Sequence, residues 1–167
     1  CAGIPETDEK ARDVVAPSGH AVAATGGRLY VLGGTALAEV QTAPINTDGT
    51  LGGFTVLATP LPSARFGHAA TVYGNRVYVQ GGCTGSAPCA AGNILSDMLV
   101  AVIDSDGTLG PWTPVSSPNP RHAHALVGAD GYLYVVGGLD NTGSRLGDVL
   151  VAAVHPDGTL GNWEYAG

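Results

Sequence analysis

A chain of 167 residues is the size of one ordinary domain, and a net charge of −7 with a single lysine and six dispersed arginines excludes a phosphate-neutralising nucleic-acid surface. Charged residues make up only 13% and glycine fills 26 positions, so the usual residues of long helices are missing and an all-β chain with many tight turns is expected. No run of 18 apolar residues occurs, which leaves no membrane-spanning helix.

Residues 1–17 read as a polar N-terminal tether, or as a closing strand formed by residues 11–16. A mature bacterial lipoprotein begins at a lipid-modified cysteine followed by such a tether, so Cys1 is the candidate lipidation site; an arbitrary boundary at this cysteine is the alternative.

From residue 18 onward the chain repeats itself. His20, His68 and His124 are each followed 13 residues later by a double glycine, at Gly33, Gly81 and Gly137, with a tyrosine three residues before the first glycine (Tyr30, Tyr78, Tyr134). A second frame is equally regular: Asp-Gly-Thr-Leu-Gly starts at Asp48, Asp106 and Asp157, with an aromatic six residues on (Phe54, Trp112, Trp163). A leucine stands eleven residues before each aspartate (Leu37, Leu95, Leu146) and an acid nine before (Glu39, Asp97, Asp148). Only the stretch between double glycine and leucine changes length, at two, twelve and seven residues. A fixed frame with one variable loop is the mark of a repeated supersecondary unit.

Each unit is expected to hold four strands. Strand A follows the histidine, and a Gly-Gly, Gly-Asn or Asp-Gly pair closes a tight hairpin into strand B, whose β-branched and aromatic residues alternate. Strand C opens at the recurring acid, and strand D starts at the aromatic. Four antiparallel strands ending on an aromatic make a propeller blade. The blades are assigned to residues 18–64, 65–120 and 121–167.

The hydrophobic run into the double glycine, the Asp148-Val149 step and the strand D tryptophan make the unit resemble the kelch repeat. Residues 43–45, 101–103 and 152–154 lack the tyrosine that the kelch pattern usually carries late in strand C, and Asp-Gly-Thr-Leu-Gly replaces its more usual loop, which marks a divergent branch. The resemblance implies an all-β arc of three four-stranded antiparallel blades. Three blades fall short of the roughly four to eight that close a ring, so completion by a second copy or a partner chain is expected, unless further sequence supplies the rest.

In such a meander the A–B and C–D turns share one rim and the B–C and D–A loops share the other. Length varies most in the B–C loops, so the B–C rim is the expected binding rim. The resemblance nominates arginines at the start of strand A as ligand residues, here Arg65 and Arg121 with Phe66 and His122 beside them, and Arg145 joins them from the third B–C loop. Pro17 replaces the arginine in blade 1. The alternative is that each arginine pairs with an acid such as Asp97 or Asp148. The recurring histidines and tyrosines are expected to be structural, and His155 a solvated turn residue. Cys83 and Cys89 bound a short Gly/Pro/Ser loop in which a local disulfide is plausible, and a disulfide places the chain outside the cytoplasm. No metal ligand set is expected: the two cysteines lack a second ligand pair, and the Asp104-Ser105-Asp106 run lacks the acid that ends a calcium loop.

No nucleophile, phosphate-loop or metalloprotease motif occurs. The expectation is an extracellular or cell-surface module that binds protein, peptide or glycan, with no cofactor and no catalysis. The alternatives are part of a kelch-type propeller enzyme of oxidase, epimerase or lyase class, and a structural subunit of a surface assembly.

Overall fold

The computed structural model describes residues 18–90 and 92–167, and the expectations for residues 1–17, Cys1 and Pro17 included, lie outside them. The described residues form no helix and three four-stranded antiparallel sheets. Blade 1 comprises β1 (Ala21–Thr25), β2 (Arg28–Gly34), β3 (Leu37–Pro44) and β4 (Thr55–Val56). Blade 2 comprises β5 (Ala69–Tyr73), β6 (Arg76–Gln80), β7 (Met98–Val102) and β8 (Thr113–Val115). Blade 3 comprises β9 (Ala125–Ala129), β10 (Tyr132–Val136), β11 (Val149–Ala153) and β12 (Glu164–Tyr165). Within each sheet the strands pair in chain order, so every connection is a hairpin between neighbours. Strand D begins one residue after its aromatic rather than on it; in blades 2 and 3 the tryptophan ring packs on the seam with the preceding blade.

The core lies between blades, not within them. Tyr30, Leu32 and Val40 of blade 1 pack with Val77, Val79 and Leu109 of blade 2. Tyr78, Met98 and Val100 of blade 2 pack with Leu126, Val135 and Leu160 of blade 3. Alternate residues of one strand therefore serve opposite neighbours: in β6, Val77 and Val79 face blade 1 and Tyr78 faces blade 3. Blade 2 is covered on both sides, and four of the five β6 residues are buried. Blade 3 is covered on one side, and β10 returns to alternation between buried and more exposed positions.

The double glycine owes its recurrence to the same seam. A Cβ on Gly81 would stand 2.3 Å from the Arg121 carbonyl oxygen of the next blade, and one on Gly82 would stand 2.7 Å from the Cβ of His68. Both residues also have φ between +60° and +88°, where only glycine is free of strain. With no side chain in the way, the Gly34 and Gly82 amides donate to the Arg65 and Arg121 carbonyls of the following blade at 2.8 and 3.0 Å.

Candidate functional site

The floor of the B–C rim is built from the recurring arginines and acids. Arg65 Nη1 and Nη2 donate to the two carboxylate oxygens of Asp97 at 2.7 and 2.8 Å, and further bonds run to the Gly81 carbonyl and Ser63 Oγ. Arg121 repeats the arrangement on Asp148 at 2.8 and 3.0 Å, with a bond to the Gly137 carbonyl. Two parallel charge-assisted bonds per pair fix the geometry as well as the charge. The Arg121 fork holds the Asp148 carboxyl below the usual carboxylate range. Both arginines are buried, at 1% and 0% exposure. This is the ion-pair alternative, and it removes Arg65 and Arg121 from the surface that a ligand meets: they tie the start of strand A to the start of strand C.

The strand A histidines sit beside these pairs. The His68 ring packs on Gly33 of blade 1 and the His124 ring on Gly81 of blade 2. Burial first, then the neighbouring arginine, pushes both imidazoles down to about 4, so both are neutral at neutral pH. Their rings occupy the space that the glycines leave open.

Above this floor the nominated rim residues divide. Phe66 is buried at 8% exposure and bridges Cys83, which in turn bridges Ile94. Cys83 and Cys89 are joined by a disulfide with their Cα atoms 5.8 Å apart. His122 of blade 3 leans over the same loop: one of its ring nitrogens and the two sulfurs lie within 4.8 Å of one another. A bonded pair of sulfurs supplies no thiolate, so the cluster packs the loop rather than presenting a ligand set. Partial burial lowers the His122 pKa, which favours a neutral ring able both to donate and to accept. His122 bridges Leu139, and Leu139 bridges Arg145, whose side chain is exposed. The loop carrying Arg145 is braced by Asp140, whose Oδ1 accepts from the amides of Thr142 and Ser144 and from Thr142 Oγ1. His122, the disulfide loop and Arg145 thus share one rim, on firm supports. A cavity of about 410 Å³ lies elsewhere, between the strand D ends of blades 2 and 3, lined by Ser116, Asn119, Trp163 and Tyr165 among others.

The opposite rim holds a set of contacts that sequence reasoning treated as turns and core. Each Asp-Gly turn is closed by its own aspartate, as where Asp106 Oδ1 accepts from the Thr108 amide and hydroxyl. That is an Asx turn, not the start of a calcium loop. His155 is exposed at such a turn, as expected. The turn is also gripped by the preceding blade: Tyr30 donates to the Gly107 carbonyl at 3.0 Å, and Tyr78 to the Gly158 carbonyl at 3.1 Å. The signal was present in the sequence, since tyrosine and turn recur with one period, but spacing does not say that one blade's tyrosine meets the next blade's turn.

Comparison with known proteins agrees with this geometry. Residues 120–151 match the Kelch motif. A stretch of 89 residues, 51% of this chain, is 37% identical to the tRNA wybutosine-synthesizing protein 2/3/4 of Oryza sativa subsp. japonica, of which it spans 8%. The solved structure of YjhT superposes over 89% of this chain and 45% of that one with a TM-score of 0.66, at 17% sequence identity. At that identity the match shows the fold alone, a β-propeller of four-stranded antiparallel blades.

Proposed function

We propose that this set of kelch-like propeller blades is an extracytoplasmic binding module that engages a protein or glycan through its B–C rim and performs no chemistry of its own. The observation that carries this reading is the gathering of His122, the disulfide-closed loop and exposed Arg145 on the rim where all length variation falls. Arg145 offers a planar cationic fork to a carboxylate, and neutral His122 adds a donor and an acceptor. The disulfide supports a location outside the reducing cytoplasm, and lipid attached at Cys1 would fix the module to a membrane surface. Further blades, from a second copy, another chain or further sequence, would close the arc into a ring.

The test uses immobilised protein against an extracytoplasmic protein fraction and a glycan array. A bound partner lost by His122→Ala/Arg145→Ala and retained by His155→Ala on the opposite rim is the expected result. Loss on His155→Ala alone would move the site to the other rim, and stoichiometric copper in the purified protein would favour an oxidase instead.

A further inference from the structure

Three groups with metal-ligand chemistry converge where the blade 2 loop meets blade 3. The sulfurs of Cys83 and Cys89 and one ring nitrogen of His122 all lie within 4.8 Å of one another. The two cysteines have no third ligand in their own blade; the next blade supplies it. The His122 ring has no hydrogen-bond partner among the described residues, so it is committed to no other group. Its partial burial keeps it neutral at neutral pH, the form that binds metals.

Two of these groups stand on backbone that the disulfide does not hold. Cys83 exchanges both backbone hydrogen bonds with Phe66, at 2.8 and 3.0 Å, and His122 does so with Leu139, at 2.9 and 3.1 Å. Cys89 differs. Residues 85–89 make no backbone–backbone hydrogen bond among the described residues, and Cys89 itself is half-buried. Opening the disulfide therefore leaves Cys83 and His122 in place and frees Cys89 to shift. The shift needed is small: in a tetrahedral site with Zn–S bonds of about 2.3 Å, neighbouring ligand atoms stand about 3.5–3.8 Å apart.

We propose that reduction of the Cys83–Cys89 disulfide turns this cluster into a zinc site, with two thiolates from blade 2, the His122 imidazole from blade 3 and a fourth position open to solvent. Cys89 and His122 are only partly buried, which gives the metal its way in. Two thiolates and an imidazole suit the borderline softness of zinc. An external dithiol delivers two electrons and two protons to the disulfide and leaves as a disulfide itself. Zinc then replaces the two thiol protons, which pass to water. A closed disulfide offers no thiolate, so the oxidised loop excludes the metal. The exchange is of one staple for another: a bond within the blade 2 loop gives way to a metal that ties this loop to blade 3. The proposal is independent of what the rim binds.

The experiment compares the oxidised chain with one reduced by a dithiol and desalted without oxygen. The probe is Zn2+ alone, followed by native mass spectrometry, with Co2+ as its spectroscopic stand-in. The reduced chain is expected to take up one zinc and the oxidised chain none. Cobalt on the reduced chain should give a thiolate-to-metal charge-transfer band that zinc abolishes, and zinc should raise the melting temperature of the reduced chain only. Cys83→Ser/Cys89→Ser removes the band. His122→Ala weakens zinc binding more than about tenfold, the loss that removing even an outer-shell partner brings, and leaves the melting of the oxidised chain unchanged. His155→Ala, on the opposite rim, changes neither. Absence of zinc on the reduced chain overturns the proposal, as does equal zinc on the oxidised chain. Undiminished binding by His122→Ala overturns the ligand from blade 3. Loss of the β-sheet circular dichroism on reduction also overturns it, since the blades would no longer hold the ligands together.

Discussion

The two rims of the arc obey different rules. On the A–B/C–D rim three turns share one sequence, Asp-Gly-Thr-Leu-Gly, and the two with a blade before them are gripped by its tyrosine. On the B–C/D–A rim the B–C loops run to two, twelve and seven residues, yet they rise from a recurring floor: the double glycine and, in blades 2 and 3, a histidine packed on the preceding blade's glycine and an arginine–aspartate pair. The constant turns of blades 2 and 3 are locked against a neighbouring blade along their length, whereas the variable loops are anchored at their bases and extend into solvent beyond them, where change of length is tolerated.

Substitutions that break the floor should therefore cost most. Gly81→Ala places a methyl against the Arg121 carbonyl at a positive φ, and a loss of more than about 3 kcal/mol in unfolding free energy is expected from urea denaturation. Asp148→Asn strips a buried guanidinium of its counter-charge and should cost about 2–4 kcal/mol by the same measurement, below the full penalty because the carboxylate side chain is 16% exposed.

Acid should act on the floor as well. His68 and His124 have folded-state pKa values lowered to about 4, below their ordinary value of 6.5, so the unfolded chain binds more protons between these limits. Stability rises with pH through that window and is lost as pH falls from about 6.5 towards 4. Asp148, also lowered, loses its contribution as pH falls further, below the usual carboxylate range. Thermal melts from pH 7 to pH 3 should show Tm falling in that order, and a Tm that rises on acidification would contradict both assignments.

The loops above should matter less. Cys83→Ser/Cys89→Ser removes a short cross-link and should cost about 2 kcal/mol, with the gain in hydrogen exchange confined to the loop and His122. The smallest effect has the opposite sign. Ala123 holds φ +53°, at the position where blades 1 and 2 carry Gly19 and Gly67. Ala123→Gly should stabilise by about 0.5–1 kcal/mol, the relief of left-handed strain exceeding the added chain entropy.

The blades were legible because one frame is written three times: histidine, tyrosine, double glycine and aspartate kept in register at fixed spacings require a repeated unit. The disulfide was legible for a local reason, since a six-residue separation leaves little freedom. The arginines were not, because a side chain's direction is not in its spacing. Arg65 near a rim loop suits a ligand or an acid equally well until Asp97, 32 residues on, is seen 2.7 Å away. The tyrosine-to-turn contact was hidden for a related reason: its partners lie 77 and 80 residues apart and belong to different repeats.

That separation has a consequence for how such a chain is made. The tyrosine never meets the turn of its own blade, only that of the next, so each blade carries a socket at one side and a matching plug at the other. A stretch of gene encoding one blade brings both with it when duplicated, and the new copy docks on its parent without a single compensating substitution. Growth by tandem duplication is then limited only by the curvature at which the last socket reaches the first plug.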